Sequence, residues 1–272
     1  HYPLRRQRQM CIRDRDKEKK KKENIILKKY IPILDKHFKI HELTKDHLKS
    51  NVDHEECFII KEGSVLARDK NGKTFSLEPG NPIGFAEALV SRPYELEYIL
   101  KEDTTVYAFK SSSIRKALAT ASSLTRGMVK YSLDRIFNTK KSKTYHLIDD
   151  GFLSRQGERF PMKEYDDDET IFMRNQQPKF FFYVESGKVE LISKLDKVIA
   201  TYIPGDSFGE MALFTDSVRS ATAKSVGKTT VQVVSREFIK EYFENEEPLI
   251  KFSLVCILER LRAMNNLCLL YT

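Results

Sequence analysis

Residues 207–223 carry the residue types that could bind an anion attached to a sugar. Gly209 allows a tight backbone turn that brings N–H groups close to a ligand. The segment after it, residues 210–214, can form one short helical turn, whose N-terminus offers unpaired N–H groups and the positive end of a dipole. Arg219 adds a full positive charge and a planar fork of donors that suits phosphate oxygens, and Glu210 can accept hydrogen bonds from a sugar hydroxyl. Together these residues predict a pocket for a singly charged phosphodiester attached to a ribose.

This stretch resembles the phosphate-binding cassette of the cyclic-nucleotide-binding domain family, which includes catabolite activator proteins, regulatory subunits of cAMP-dependent kinase and cyclic-nucleotide-gated channels. The family pattern is Phe-Gly-Glu-x-Ala-Leu, a short loop and then Arg-(Ala/Ser/Thr)-Ala, which residues 208–213 and 219–221 match. Residues 186–189 and 204–206 fit the family as well, so the resemblance covers residues 143–265. It implies a sensor module rather than an enzyme.

The resemblance also implies a role for each cassette residue. Glu210 would bind the ribose 2′-hydroxyl and Arg219 the cyclic phosphate. Backbone N–H groups around Met211 and Ala212, with the Ser220 hydroxyl, would complete the phosphate shell. The expected ligand is cAMP or cGMP, and Ser220 is compatible with either. The site residues assigned in this way are Phe208, Gly209, Glu210, Met211, Ala212, Arg219, Ser220 and Ala221.

The pattern of strands and turns occurs twice along the chain. Three turn residues recur at a separation of about 125 positions, and they are Gly63 and Gly187, Pro79 and Pro204, and Gly84 and Gly209. A period this long indicates two copies of one domain rather than a solenoid. Each copy has short strands at even spacing with turn signals between them, the pattern of an antiparallel roll. The predicted fold class is mainly β with flanking helices (α+β), as two tandem jelly-roll-like domains.

Helices are predicted next to the strands of each copy. Ser235 is placed to cap a helix over residues 236–243, and apolar residues recur at helical spacing after Pro248. In the family, such a last helix acts as a lid over the base. Leu124, Met128 and Tyr131 predict a helix that joins the two copies. The predicted domains are a degenerate copy over residues 30–142 and a cyclic-nucleotide-binding domain with its lid helix over residues 143–267.

The first copy departs from the family pattern inside its own cassette. Aligning residues 88–89 with residues 212–213 places Ala86 at the ribose position and Glu95 at the phosphate position. A carboxylate there would repel the phosphate by like charge, and Arg92 lies too early in the sequence to replace the missing cation. We therefore expect the first copy to be kept for packing and not to bind a nucleotide.

We interpret both ends of the chain as sequencing-library sequence that does not belong to the natural gene. Residues 1–15 and 268–272 back-translate to a common transposase sequencing adapter and to its reverse complement, so the natural gene is expected to be cut at both ends. Residues 1–15 supply half of the formal net charge of +8, and the remaining basic balance gives little support for a nucleic-acid partner. Residues 16–29 are a charged N-terminal segment, which we interpret as solvated.

Other residue patterns exclude several kinds of site. Outside the two ends, Cys57 and Cys256 lie far apart in the sequence and suggest neither a disulfide framework nor a zinc site. No run of about 18 apolar residues predicts a membrane span, and a cytoplasmic location is expected. No phosphate loop, nucleophile elbow or pair of catalytic carboxylates is recognisable, so no enzyme activity is expected.

Two clusters of polar residues could in principle bind a metal ion. The first, in a region expected to be helical, consists of His37, His41, His47 and His54. A surface helix is favoured, because no carboxylate or cysteine completes a ligand set. For residues 166–169, Asp-Asp-Asp-Glu, a solvated turn is favoured over a cation site. His146 is the only histidine of the second copy, which argues against a metal-dependent cupin.

Two functional hypotheses of different classes follow. The first is a regulatory protein whose nucleotide binding controls a protein partner or an effector domain missing from this chain. One form of it is a truncated catabolite-activator-type transcription regulator, with a DNA-binding segment after the last helix. The second is an interaction scaffold in which neither roll binds a nucleotide. Ligand binding separates the two hypotheses.

Overall fold

Short apolar runs separated by glycine, proline and charged turns form the strands of this protein. The structure is a computed structural model that describes residues 27–49, 55–137, 160–209 and 218–271. The chain divides into two compact units, His1–Arg115 and Lys116–Thr272. The predicted domain boundary between residues 142 and 143 lies outside the described residues, and residues 116–137 group with the second unit.

The strands of the first unit pair in an antiparallel manner in two sheets. They are β1 (Phe38–Glu42), β2 (Glu56–Glu62), β3 (Val65–Arg68), β4 (Thr74–Leu77), β5 (Pro82–Ile83), β6 (Glu97–Leu100) and β7 (Thr105–Lys110). One sheet has the order β1-β7-β2-β5 and the other the order β4-β3-β6. The apolar side chains of both sheets enclose a core that includes Phe58, Val65 and Val106. This arrangement agrees with the predicted antiparallel roll.

Helices follow two of the strands of the first unit. Helix α1 (Phe85–Val90) follows β5 directly, and α2 (Ser111–Thr120) follows β7 and includes the division between the two units after Arg115. The histidine cluster was expected on a helix, but His41 lies in β1, where its Nε2 is 3.4 Å from a carboxylate oxygen of Glu56. The helix prediction is wrong for His41, because pairing with β7 makes residues 38–42 a strand, whereas His47 lies in a short 3-10 helix (Asp46–Leu48). His54 lies outside the described residues.

The second unit has longer strands around an aromatic core. They are β8 (Met162–Tyr165), β9 (Thr170–Phe172), β10 (Phe180–Ile192), β11 (Val198–Tyr202), β12 (Ser207–Phe208) and β13 (Thr222–Ser235). The sheet order is β11-β10-β13-β8, with β12 paired to β10 and β9 paired to β13. The turn predicted at residues 186–188 is an irregularity inside β10 rather than a break. This irregularity requires a glycine. Gly187 has φ +80, and a Cβ there would lie 2.5 Å from the Lys228 carbonyl oxygen.

Helices flank the strands in the described part of the second unit. They are α3 (Ser123–Ile136), α4 (Arg236–Glu244) and α5 (Pro248–Tyr271). Ser235 caps α4 as predicted, since its side chain accepts a hydrogen bond from the Phe238 N–H. Apolar side chains of α5 such as Leu254 and Leu258 are fully buried, as their helical spacing predicted.

The same strand registers occur within each unit. In the first unit Phe58 is opposite Ile83 and Val65 is opposite Leu77, and in the second unit Phe182 is opposite Phe208 and Val189 is opposite Tyr202. Corresponding residues are about 125 positions apart, the period of the sequence repeat. In both units the strand that precedes the cassette, β5 or β12, is therefore held by the same kind of pairing.

Candidate functional site in the second unit

The described part of the cassette begins at the end of β12 and resumes just before β13. Phe208 is fully buried in the aromatic core, and Ala221 is buried as well. Ser220 is exposed at the surface. Three predicted site residues, Glu210, Met211 and Ala212, lie outside the described residues, as does the predicted helical turn over residues 210–214. Their assigned roles therefore stay predictions.

Gly209 and Arg219 are in direct contact. The Arg219 Nη1 donates a hydrogen bond of 2.6 Å to the Gly209 carbonyl oxygen, and Nη2 donates to the carbonyl of Phe180. Gly209 has φ +85, and a Cβ at this position would lie 2.7 Å from Nη1. The sequence predicted a tight turn at Gly209 and a cation at Arg219, but not the contact between them. The structure adds that the turn must be glycine because the guanidinium fills the space of a side chain.

Aromatic rings surround the Arg219 guanidinium, although this arginine is the cation of the predicted site. Its central carbon lies 4.1 Å from the ring centroid of Phe172 and 5.9 Å from that of Phe182. Arg219 is only 4% exposed. Electrostatic interactions are strengthened in such a dry environment. Phe172 was missed by sequence reasoning, because only the pairing of β9 with β13 brings it to Arg219.

Backbone hydrogen bonds fix the main chain on which Arg219 is mounted. The Arg219 N–H donates to the Gln176 carbonyl at 3.0 Å, and the Asn175 N–H donates to the Arg219 carbonyl at 2.8 Å. Asn175 adopts φ +67, a conformation that Asn tolerates better than most residues. The side chain of Arg219 therefore starts from a defined point between β9 and β13.

A second contact fixes the start of the cassette from the helical side. The Tyr131 hydroxyl of α3 donates a hydrogen bond of 2.5 Å to the Ser207 carbonyl oxygen. Ser207 directly precedes Phe208 and is fully buried. At the other end of α3, the Glu246 carboxylate accepts hydrogen bonds from the Ser122 N–H at 3.0 Å and the Ser122 hydroxyl at 2.6 Å. Helix α3 thus contacts both the cassette and the turn between α4 and α5.

A positive-φ glycine of the first unit makes a similar contact with a different residue. Gly84, with φ +77, precedes α1, and a Cβ at Gly84 would lie 2.7 Å from the Tyr94 ring. Tyr94 therefore packs against Gly84 as Arg219 packs against Gly209. This corrects the alignment that placed Glu95 there, because Tyr94 is buried and Glu95 is exposed. Burial raises the pKa of Tyr94, so the contact is made by a neutral phenol.

The acidic residues 166–169 and the histidines were the candidates for a metal site. No group of three or more His, Cys, Asp or Glu side chains placed to hold a metal ion occurs among the described residues. The Asp167 carboxylate accepts a hydrogen bond of 2.6 Å from the Gly227 N–H, and Asp168 pairs with Lys224 at 2.7 Å. Nor does any helix within the described ranges have the length and apolar character needed to span a membrane.

Part of the second unit matches a known family model. Residues 162–246 match the family model described as the cyclic nucleotide-binding domain. The chain contains a cyclic nucleotide-binding domain. The matched range of this cyclic nucleotide-binding domain includes all eight predicted site residues and helix α4, and it ends before α5.

Two regulatory subunits of cAMP-dependent protein kinase are similar to this chain. The cAMP-dependent protein kinase regulatory subunit of Yarrowia lipolytica is 22% identical over 187 residues, which are 68% of this chain and 48% of that protein. That of Candida albicans is 22% identical over 179 residues, 66% of this chain and 38% of that protein. This chain spans less than half the length of both relatives. A solved structure of cAMP-bound PfPKA-R is 20% identical, with a TM-score of 0.34 and coverage of 84% of both chains.

Proposed function

We propose that the second unit binds a cyclic mononucleotide, cAMP or cGMP, through the cassette at residues 208–221. The observation that carries the proposal is the position of Arg219, buried beside the positive-φ turn at Gly209. A guanidinium fixed at a glycine turn offers a full charge and a planar donor fork in a dry place, which suits a phosphodiester oxygen. Glu210 would accept hydrogen bonds from the ribose hydroxyl.

Binding would change the acceptors that Arg219 uses. In this structure its two terminal nitrogens donate to the backbone carbonyls of Gly209 and Phe180. These carbonyls are neutral, whereas a cyclic phosphate carries a full negative charge. The bonds to both kinds of acceptor are charge-assisted, because the guanidinium is ionised, but only the phosphate adds the attraction of a full opposite charge in a dry site. The ligand would therefore compete with the carbonyls for the guanidinium donors. The cassette would then close on the phosphate, aided by backbone N–H groups around Met211 and the Ser220 hydroxyl.

In this proposal, the helices transmit the effect of nucleotide binding to a partner. Helix α5 acts as the lid that moves over the base when the cassette closes, and the change controls a protein partner or an effector domain. The similarity to regulatory subunits of cAMP-dependent protein kinase makes a protein kinase the first partner to test. The protein acts as a regulator and not as an enzyme, and a cytoplasmic location suits that role.

The first unit, in the same proposal, is a degenerate copy of the domain that does not bind nucleotide. The shared strand registers support a common origin. Tyr94 at the position of the arginine supports the loss of binding, because a neutral phenol supplies no charge for the phosphate.

Titration calorimetry of the chain with cAMP and with cGMP tests the proposal, together with a melting scan. A ligand at about 100 times its dissociation constant should stabilise the folded state by about 2.7 kcal/mol. No binding heat and no melting shift with millimolar amounts of either nucleotide would reject the proposal.

The second candidate function is an interaction scaffold that binds no nucleotide. One observation favours it, since the Arg219 donors already have carbonyl acceptors within the protein. The same titration decides between the two functions. A scaffold would show no heat with either nucleotide and would still bind its protein partner.

A catabolite-activator-type transcription regulator remains a form of the first function, and a DNA-binding segment in the gene beyond α5 would identify it.

A further inference from the structure

Arg219 rests on an aromatic ring that the cassette pattern does not contain. We infer that Phe172 is a positioning residue, which holds the Arg219 guanidinium in the orientation that receives an anionic ligand. This inference rests on the proposed function of the site and adds a residue to it from outside the cassette, on strand β9.

The geometry of the pair is that of a strong cation–π contact. The central carbon of the guanidinium lies 4.1 Å from the centroid of the Phe172 ring. Phe172 is 7% exposed and Arg219 is 4% exposed, so little water competes for either partner. The face of an aromatic ring carries partial negative charge and attracts a cation, more strongly when both are desolvated.

The Phe172 ring itself is held in a fixed place. It stacks on Phe182 with a centroid distance of 5.8 Å and an angle of 26°, and it lies 6.0 Å from Phe208. Its backbone pairs with β13 at Ala223, a few residues after Arg219. A ring held by stacking and by strand pairing can serve as a rigid support for a long, flexible side chain.

Gly209 covers the guanidinium from another direction. A Cβ at Gly209 would lie 2.7 Å from Arg219 Nη1 and 3.5 Å from Phe172 Cε1. The guanidinium, the ring and the glycine therefore meet at one point, where a side chain on residue 209 would displace one of the others. Phe172 and Gly209 together limit the conformations of Arg219 before any ligand arrives.

This restriction has a measurable consequence for ligand selection. An arginine that is already ordered loses less conformational entropy when it binds phosphate, and the gain applies only to ligands that carry the phosphate. Phe172 should therefore increase the preference for cAMP over adenosine, which has the same base and sugar ring but no phosphate. A purely structural role for Phe172 would affect both ligands equally.

The test compares the ratio of the adenosine and cAMP dissociation constants in variants of the full chain. Phe172→Leu keeps an apolar side chain but removes the ring, and it should lower the ratio by about fivefold to thirtyfold. Phe172→Tyr keeps the ring face and should stay within about twofold of the parent. Tyr165→Leu is the matched control, because Tyr165 belongs to the same buried cluster and its ring contacts Lys163 instead.

A second variant covers the case in which Phe172→Leu does not fold. Trifluorophenylalanine at position 172 keeps the shape of the ring and removes most of its negative face, so it should also lower the ratio. An unchanged ratio in both altered chains, or an equal change in Tyr165→Leu, overturns the inference while the proposed function stands. A parent protein that binds no cAMP overturns both.

Discussion

The proposed nucleotide binding depends on Arg219. Because this residue is buried, its removal should cost a large part of the binding free energy. Removing it leaves a phosphate without its charged partner in a dry pocket, at a cost of about 2–5 kcal/mol. Arg219→Ala should therefore weaken cAMP binding by at least about tenfold, since about 1.4 kcal/mol corresponds to that factor. Arg219→Lys should recover little, because an ammonium group cannot reproduce the planar fork.

The control for this prediction is another arginine of the same unit. Arg174 is exposed, so Arg174→Ala changes the net charge by the same amount without touching the pocket. Calorimetry should give equal affinities for Arg174→Ala and the parent. A similar loss in both variants would mean that long-range charge, rather than contact with the phosphate, explains the effect.

Gly209 gives a second prediction at the scale of one residue. Gly209→Ala forces a Cβ into a left-handed backbone, which costs about 1–2 kcal/mol, and also into contact with the Arg219 guanidinium. Gly227 has a similar φ of +67, with nothing within 4 Å of an added Cβ. Gly227→Ala therefore isolates the backbone strain. Urea unfolding should show a larger loss for Gly209→Ala, and equal losses would mean that the close contact costs nothing.

The first turn of helix α3 is stabilised by Glu246, a residue outside the helix. Ser122 caps the helix by accepting from the Thr125 N–H, and its hydroxyl donates to the buried Glu246. Ser122→Ala removes both bonds and should destabilise the unit by about 1–2 kcal/mol. Ser235→Ala removes only a cap, that of α4, and should cost less. Urea midpoints of the two variants measure the difference, and a larger effect for Ser235→Ala would contradict the role of Glu246.

Helix α5 provides the test of the lid proposal. Its residues 250–264 should exchange their amide hydrogens more slowly when cAMP is bound, because a helix that closes over the base opens less often. Hydrogen exchange with and without nucleotide measures this change peptide by peptide. Protection confined to residues 207–222 would mean that the cassette closes without moving the helix.

Among the described residues, a buried arginine contacts the positive-φ glycine turn in the second unit, whereas a tyrosine does so in the first. We expect one nucleotide per chain, because the neutral Tyr94 takes the corresponding place in the first unit. Calorimetry gives the stoichiometry directly. Arg219→Ala should reduce the only binding event, and Tyr94→Phe should leave the stoichiometry unchanged. Two sites of similar affinity would show that the first unit binds through other residues.

Local patterns in the sequence determined much of this architecture. The strands follow from short apolar runs between turns, and the cap at Ser235 follows from the preference of serine for helix starts. The cassette pattern indicated a glycine turn at Gly209 and a cationic residue at Arg219, but it did not indicate the contact between them, which the structure shows. The features that were predicted depend on residues that are close in the chain, where residue type and spacing are sufficient.

Features that depend on long-range pairing were decided only by the tertiary structure. Pairing with β7 made a strand of residues 38–42, which include His41 and were expected to be helical. The packing of Gly84 on Tyr94 shifted the alignment of the first cassette by one residue, which replaced an expected carboxylate with a phenol. Phe172 reaches Arg219 because β9 pairs with β13. A register shift of one residue turns each side chain of a strand to the opposite face, so such contacts require the sheet pairing as well as the order of residues.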